Sequence, residues 1–222
     1  MLDVSRKILN RTYLYGVTDI SSENEDVLKQ VEAAYQGGAD IIQLRSKKLC
    51  DGALYRLGLR MRSIADAHDK TFLVNDRLDI ALAVNADGVH LGQDDLPVEA
   101  ARKMLGAQRD NFIIGKSTHS LQQAREAVRQ QVDYFGVGPI YTTPTKKDYA
   151  AVGLDLITQV SQEKLPTPFF AIGGIDEKNI QDVMKAGAYR VAVVRAIFNA
   201  ADVRQQANDL RRIIDEFSRS KN

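Results

Sequence analysis

Three polar side chains occupy alternate positions of one short apolar segment. The segment, residues 41–47, reads IIQLRSK, and the alternation of a β-strand places Gln43, Arg45 and Lys47 on one face. Polar groups on a buried strand are unfavourable unless they have a partner or a ligand. A planar guanidinium beside an ammonium group suits phosphate oxygens. We therefore predict an anion site here, with internal salt bridges as the alternative.

Carboxylates follow two other apolar segments. One of them, FLV, stops at Asn75 and Asp76, and another, GVHL, is followed within four residues by Asp94 and Asp95. Mg²⁺ prefers one or two carboxylates together with water and phosphate oxygens, and carboxylates at the ends of adjacent strands can converge on one ion. Asp76 with either Asp94 or Asp95 therefore predicts a Mg²⁺ site. The alternative is that Asp76 caps the helix that follows it.

Two further polar stretches follow apolar runs. Ser117 and His119 come after residues 112–115, and His119 could act as an acid or base, although Ser-x-His before a helix is also an ordinary capping sequence. The segment from Gly138 to Gly153 carries three threonines and two lysines. Loops longer than about 12–15 residues in compact domains are usually lids or binding loops. We predict a phosphate-binding loop, with a disordered surface loop as the alternative.

These polar groups all follow short apolar runs that alternate with amphipathic segments. The predicted strands are Tyr13–Val17, Asp40–Leu44, Phe72–Asn75, Gly88–Leu91, Phe112–Gly115, Tyr134–Val137, Pro168–Ile172 and Arg190–Val194. The predicted helices are Asn24–Gln36, Asp51–His68, Arg77–Val84, Pro97–Leu105, Leu121–Gln130, Leu154–Gln162, Asp176–Ala186 and Asp202–Phe217.

Eight strands, each followed by a helix, predict right-handed crossovers and a parallel sheet. We therefore assign the chain to the α/β class and predict that residues 1–222 form a single (β/α)₈ TIM-barrel domain. A doubly wound open sheet is the alternative, but no Gly-rich turn follows the first strand to bind a dinucleotide. In a barrel, function collects at the carboxyl ends of the strands, which is where these polar residues lie.

Two glycines and an arginine end the last two predicted strands. Gly173 and Gly174 follow the seventh strand, and Arg195 follows the eighth. The loops after strands 7 and 8 of such barrels commonly form a phosphate pocket from backbone N–H groups. We predict a second phosphate site there.

Composition excludes several classes of protein. The 222 residues include 30 Lys and Arg against 29 Asp and Glu, which does not suggest a nucleic-acid-binding surface. No apolar run approaches the roughly 20 residues that a membrane span needs, and no secretory signal is visible. The single cysteine, Cys50, indicates a reducing compartment, so we predict a cytoplasmic protein.

The motifs, in this order, resemble the thiamine-phosphate synthase family over nearly the whole chain. The most specific segments are residues 43–47 (QLRSK), 74–76 (VND), 90–95 (HLGQDD), 138–141 (GPIY) and 143–146 (TPTK). The resemblance implies an enzyme that joins a hydroxymethylpyrimidine diphosphate to a thiazole phosphate, with Mg²⁺ as cofactor and release of pyrophosphate. Small-molecule substrates are the implied partners, and the oligomeric state stays open.

The resemblance also implies a role for each matched position. It places the pyrimidine diphosphate against Gln43, Arg45, Lys47, Asn75, Ser117 and Lys146, with Arg45, Lys47, Ser117 and Lys146 as the catalytic set. It makes Asp76 and Asp95, rather than Asp94, the Mg²⁺ ligands. It assigns the thiazole phosphate to Thr143, Thr145, Gly174, Val194 and Arg195. The position of Arg195 is often a small residue in the family, so the role of this side chain stays open.

Two other functions are compatible with the same barrel. A thiazole tautomerase would need an acid or base such as His119, but neither Mg²⁺ nor a diphosphate site. A ligand-binding protein without catalysis cannot be distinguished by fold. The complete sets Asp76 with Asp95 and Lys47 with Lys146 favour the synthase.

Overall fold

All eight predicted strands form, and they close into one parallel barrel in chain order, with β8 pairing back onto β1. The computed structural model describes Leu9 and residues 11–106, 111–143 and 150–220. The strands are β1 Leu14–Val17, β2 Ile41–Leu44, β3 Thr71–Asn75, β4 Gly88–Leu91, β5 Ile113–Thr118, β6 Tyr134–Val137, β7 Phe169–Ile172 and β8 Val191–Val193. The predicted (β/α)₈ barrel is thus confirmed.

Helices surround the barrel and bury one apolar face each. They are α1 Glu25–Gln36, α2 Asp51–Ala67, α3 Leu78–Ala83, α4 Val98–Leu105, α5 Leu121–Arg129, α6 Gly153–Gln162, α7 Ile180–Lys185, α8 Arg195–Phe198 and α9 Val203–Arg219. In α9 the buried residues follow the helical period. None of the helices in these described ranges is long and apolar enough to cross a membrane.

Two boundaries lie three or four residues from the predicted ones, one short helix was not predicted, and the other boundaries agree within one or two residues. Strand β5 continues to Thr118 instead of ending at Gly115, because its polar end stays paired with β6. Helix α7 starts at Ile180 rather than Asp176, because Asn179 accepts a hydrogen bond from the Asp176 N–H and holds a turn there. The short helix α8 was not predicted, and Arg195 is its first residue.

The barrel interior is apolar at the amino ends of the strands. Its side chains include Ile41, Leu73 and Ile113, separate from the larger core between strands and helices. Tyr134 also fills this interior, and it faces Gly115 on the neighbouring strand. A Cβ at Gly115 would lie 2.1 Å from Cζ of Tyr134, so the ring fits only because position 115 is glycine.

Three aspartates, of which Asp40 and Asp133 are buried, tie the amino ends of adjacent strands together in pairs. Each lies just before an even-numbered strand and accepts a hydrogen bond from a backbone N–H near the start of the preceding strand, while an arginine neutralises its charge. The sets are Asp40 with Leu14 N–H (3.1 Å) and Arg211 (2.9 Å), Asp87 with Phe72 N–H (2.7 Å) and Arg62 (2.7 Å), and Asp133 with Ile114 N–H (2.7 Å) and Arg102 (2.7 Å). These contacts stabilise the face of the barrel opposite the polar residues.

Candidate active site

A cavity of about 330 Å³ opens at the carboxyl ends of the strands. Eight of the predicted site residues line it, namely Gln43, Arg45, Asn75, Ser117, Thr143, Gly174, Val194 and Arg195. Lys47, Asp76 and Asp95 are not part of its lining but form a separate cluster after β2, β3 and β4. Thr145 and Lys146 lie outside the described residues.

The two predicted metal ligands meet each other. Asp76 and Asp95 share a hydrogen bond between their side chains, and Lys47 Nζ lies 2.6 Å from Asp76 Oδ2. Burial, and then the neighbouring Asp95 carboxylate, raise the pKa of Asp76. Asp76 has a φ of 61°, a conformation that is unusual outside glycine and suggests a constrained position.

Asp95 is held from its other side. Its Oδ2 accepts a hydrogen bond of 2.6 Å from the Gly92 N–H. Burial acts to raise the pKa of Asp95, but the hydrogen bonds from Asp76 and Gly92, together with Lys47 and Lys116, lower it overall. The adjacent Asp94 is exposed.

A buried lysine that the sequence interpretation missed supports this cluster. Lys116 Nζ donates to the Gly92 carbonyl at 2.7 Å. Burial lowers the pKa of Lys116, partly offset by Asp95 and Asp94. Lys116 lies within the polar end of β5, beyond Gly115 where the predicted strand ended.

The carboxylate pair is suited to a small, hard cation that keeps water and substrate ligands. It is not suited to an ion that takes all its ligands from the protein. Within the residues that the structure describes, no three His, Cys, Asp or Glu side chains are grouped closely enough to hold a metal. Mg²⁺ needs only one or two carboxylates, since water and substrate phosphate supply its other ligands. Two carboxylates in contact also repel each other when both are ionised, and a cation between them removes that cost. Asp76 and Asp95 therefore fit Mg²⁺.

Arg45 has a carboxylate partner that was not predicted. Its guanidinium is hydrogen-bonded to Asp19, which lies two residues beyond β1 and is half-exposed. Arg45 is itself buried and lines the cavity. The internal ion pair that was the alternative for Arg45 thus exists in this structure, at the mouth of the cavity.

A chain of hydrogen bonds crosses the floor of the cavity. The Gln43 side-chain amide donates to Tyr15 Oη, and Tyr15 Oη lies 3.0 Å from Tyr134 Oη. Tyr134 Oη lies 2.9 Å from His90 Nδ1, and His90 Nε2 lies 2.9 Å from Ser117 Oγ. The sequence placed the two tyrosines in predicted strands without a role for their hydroxyls, and the inward position of His90 along β4 is the signal that could have indicated this contact.

The rim opposite the carboxylates is formed by the loops after β6, β7 and β8. Gly173 and Gly174 have φ values of 105° and 67°. A Cβ at Gly173 would lie 2.5 Å from Pro139, and the Tyr141 N–H donates to the Gly173 carbonyl at 3.0 Å. Glycine therefore lets the first residues of the β6 loop pack directly on the β7 loop, next to Thr143, Val194 and Arg195 in the cavity lining.

Comparison with known proteins gives a consistent family assignment. The sequence pattern described as thiamine monophosphate synthase matches residues 14–197. This chain belongs to that family. A thiamine-phosphate synthase of Saccharopolyspora erythraea is 45% identical over 214 residues, covering 93% of this chain and 94% of the relative. A thiamine-phosphate synthase of Nostoc sp. is 46% identical over 194 residues and 87% of this chain, but this chain spans only 53% of that longer relative.

A solved structure shares the architecture of this thiamine monophosphate synthase family member. It is thiamine phosphate pyrophosphorylase from Pyrococcus furiosus, with a TM-score of 0.84 and 37% identity, covering 96% of this chain and 98% of the other. The resemblance predicted from the motifs is confirmed at the level of family and fold. The roles of the individual site residues stay predictions.

Proposed function

We propose that this chain is a Mg²⁺-dependent thiamine-phosphate synthase. It would condense 4-amino-2-methyl-5-hydroxymethylpyrimidine diphosphate with a thiazole phosphate, or its carboxylated form, and release pyrophosphate. The observation that carries the proposal is the meeting of Asp76, Asp95 and Lys47 beside a cavity lined by Gln43 and Arg45. Cations and paired carboxylates at one barrel mouth suit a diphosphate leaving group bound with a metal ion.

The chemistry follows from where charge develops. The C–O bond to the diphosphate breaks, the electron-rich aminopyrimidine stabilises the resulting cation, and the thiazole nitrogen attacks that carbon. Negative charge appears on the departing pyrophosphate, where Arg45, Lys47 and Lys146 would stabilise it. Asp76 and Asp95 would hold Mg²⁺, which when bound would supply Lewis-acid neutralisation of this charge. No covalent intermediate with the protein is required.

The remaining groups would position the two substrates. Gln43, Asn75 and Ser117, which line the cavity, would contact the pyrimidine. Thr143, Gly174, Val194 and Arg195 form the opposite part of the lining and would bind the thiazole phosphate together with Thr145. Such placement supports the dissociative displacement, because the thiazole nitrogen would be held in the same cavity as the pyrimidine cation that it attacks.

A turnover assay tests the proposal. Purified protein with both substrates and MgCl₂ should form thiamine phosphate and one pyrophosphate per turnover, and excess EDTA should stop the reaction. Asp76→Ala and Lys146→Ala should each reduce turnover by about 10²–10³-fold without unfolding the protein. Asp94→Ala is the matched control, since Asp94 is exposed beside the cluster.

Each alternative outcome identifies a different function. Isomerisation of the thiazole phosphate that resists EDTA would indicate a tautomerase, and binding of both substrates without turnover would indicate a protein that has no catalytic role. Near-normal turnover of Asp76→Ala or Lys146→Ala would contradict the role assigned to that residue.

We also propose a cytoplasmic location, which is supported by the single, exposed and unpaired Cys50.

A further inference from the structure

The hydrogen-bond chain on the cavity floor has a direction. Gln43 donates an amide hydrogen to Tyr15 Oη. A phenol has one proton, so Tyr15 can satisfy it only by donating to Tyr134, its other hydroxyl partner. Tyr134 in turn has one proton left to donate, and its remaining partner is His90 Nδ1. His90 must then accept at Nδ1 and carry its proton on Nε2.

The same direction of donation continues to Ser117, the last member of the hydrogen-bond chain. With its proton on Nε2, His90 donates to Ser117 Oγ. The hydroxyl proton of Ser117 is then not used by His90, and Ser117 lies in the cavity lining. At the opposite end, the Gln43 amide nitrogen is engaged with Tyr15, which leaves the side-chain carbonyl as the group that can accept from a ligand.

Reversal of one link would leave a buried group unsatisfied. If His90 carried its proton on Nδ1, Tyr134 would accept it and would donate to Tyr15, which already accepts from Gln43. The Tyr15 proton would then have no acceptor, although this side chain is only 2% exposed. An unsatisfied buried donor is costly. Reversal of every link would therefore require the Gln43 amide to rotate as well. The hydrogen-bonding roles of Gln43 and Ser117 toward a ligand thus change together or not at all.

Packing holds the members of the chain in place. The Tyr134 ring packs edge-on against Phe170, with ring centroids 5.4 Å apart, and fits only opposite Gly115. Burial raises the pKa of Tyr15 and of Tyr134, so both phenols keep the protons that the chain needs. Packing therefore fixes the positions of the rings, and the orientation of the Gln43 amide sets the direction of the hydrogen bonds between them.

We propose that Tyr15, Tyr134 and His90 are positioning residues that make Ser117 a hydrogen-bond donor and the Gln43 carbonyl an acceptor toward the ligand. An aminopyrimidine offers the complementary groups, a ring nitrogen that accepts and an amino group that donates. This inference rests on the proposed function for the identity of the ligand, but the proton arrangement can be tested without any substrate.

The first test is the tautomer of His90. ¹⁵N-labelled histidine resolves the protonation of each ring nitrogen by NMR, and the chain contains three histidines, so a His90→Gln variant assigns the signal. At neutral pH the ligand-free protein should show neutral His90 protonated at Nε2. A proton on Nδ1, or a doubly protonated ring, would overturn the proposal even if the protein is an active synthase.

A substitution at Gln43, at the opposite end of the hydrogen-bond chain, should reverse the tautomer of His90. In Gln43→Glu the ionised carboxylate can only accept, so Tyr15 should donate to it and every following link should reverse, which moves the His90 proton to Nδ1. This shift should appear as pH is raised through ionisation of the new carboxylate, and it should disappear when Tyr15→Phe is added. A His90 tautomer that stays the same over the whole pH range in which the variant is folded would contradict the proposal.

The second test is coupling between groups that do not touch. Calorimetry of the pyrimidine diphosphate alone should show roughly tenfold weaker binding to Tyr134→Phe and to Ser117→Ala. The double variant should bind little worse than either, because Tyr134 acts through Ser117. Tyr35→Phe is the matched control, since this buried hydroxyl donates to the Thr71 carbonyl at 2.8 Å and does not line the cavity. Additive losses, or equal losses in the control, would show a merely structural role.

Discussion

At the scale of single residues, the alternation along a strand predicted which way side chains point but not which residues they contact. It placed Gln43 and Arg45 toward the cavity, as observed. It could not predict Asp19 as the partner of Arg45 or Tyr15 as the partner of Gln43, because alternation does not give the register in which β1 and β2 pair. Tyr134 has the same apolar appearance in a sequence whether or not its hydroxyl joins a network. Lys146 lies outside the described residues, so its role depends on the family resemblance alone.

The distinction between Asp94 and Asp95 gives a prediction for metal binding. Mg²⁺ with pyrophosphate should raise the Tm of the wild-type protein by about 5–10 °C at a hundredfold excess over Kd, because these ligands bind the folded state. Asp95→Asn should lose this increase, since Asp95 contacts Asp76, whereas the exposed Asp94→Asn should keep it.

Thermal unfolding followed by circular dichroism, with EDTA as the reference, provides the measurement. If Mg²⁺ with pyrophosphate raised the Tm of Asp95→Asn as much as that of Asp94→Asn, Asp95 would not be part of the proposed metal site.

At the scale of elements, apolar runs predicted every strand and amphipathic period predicted the eight longer helices. The errors occurred where polar residues belong to regular structure or where side chains compete with it. The polar end of β5 is paired although Lys116 and Ser117 resemble a loop. Asn179 holds a turn where the helical period had begun. Helix α8 has four residues, too few for a periodic pattern.

The fit of Tyr134 against β5 gives a prediction for element packing. Gly115→Ala should lower the free energy of unfolding by about 3 kcal/mol, because the new Cβ overlaps a ring that is packed against Tyr15 and Phe170. Gly52→Ala in α2 is the control, since its Cβ would meet nothing closer than Arg56 Nη1 at 3.6 Å.

The control should be neutral or stabilised by about 0.5–1 kcal/mol, because alanine favours helix more than glycine does. Urea unfolding measures both variants. Equal stability of Gly115→Ala and wild type would mean that Tyr134 has another position available.

At the scale of the whole molecule, the sheet closes where the first and last strands meet, and α9 packs beside the first of these two strands. Arg211 donates to Asp40 at 2.9 Å and to the Gly38 carbonyl at 3.2 Å, while Asp40 binds the backbone at the start of β1. The order of elements was predictable from the sequence. The contact between Arg211 and Asp40 was not predictable, because these two residues are 171 positions apart in the sequence.

Arg211→Ala should therefore lower the free energy of unfolding by about 2–4 kcal/mol, since a buried carboxylate loses its main partner. The adjacent Arg212→Ala should cost at most about 1 kcal/mol, because Arg212 is exposed and its carboxylate partners are 3.5 and 3.6 Å away. Urea unfolding of the two variants should show this difference, and similar losses would refute a special role for Arg211.

The contact between Arg211 and Asp40 has a consequence for synthesis on the ribosome. Helix α9 follows all eight strands in the chain, so a growing polypeptide exposes the Asp40 carboxylate long before its guanidinium partner has been made. Until then the nearest cation is Lys70, at 3.6 Å in the finished fold. During translation, the neutralisation of Asp40 by Arg211 should accordingly be the last of the three aspartate–arginine contacts to form.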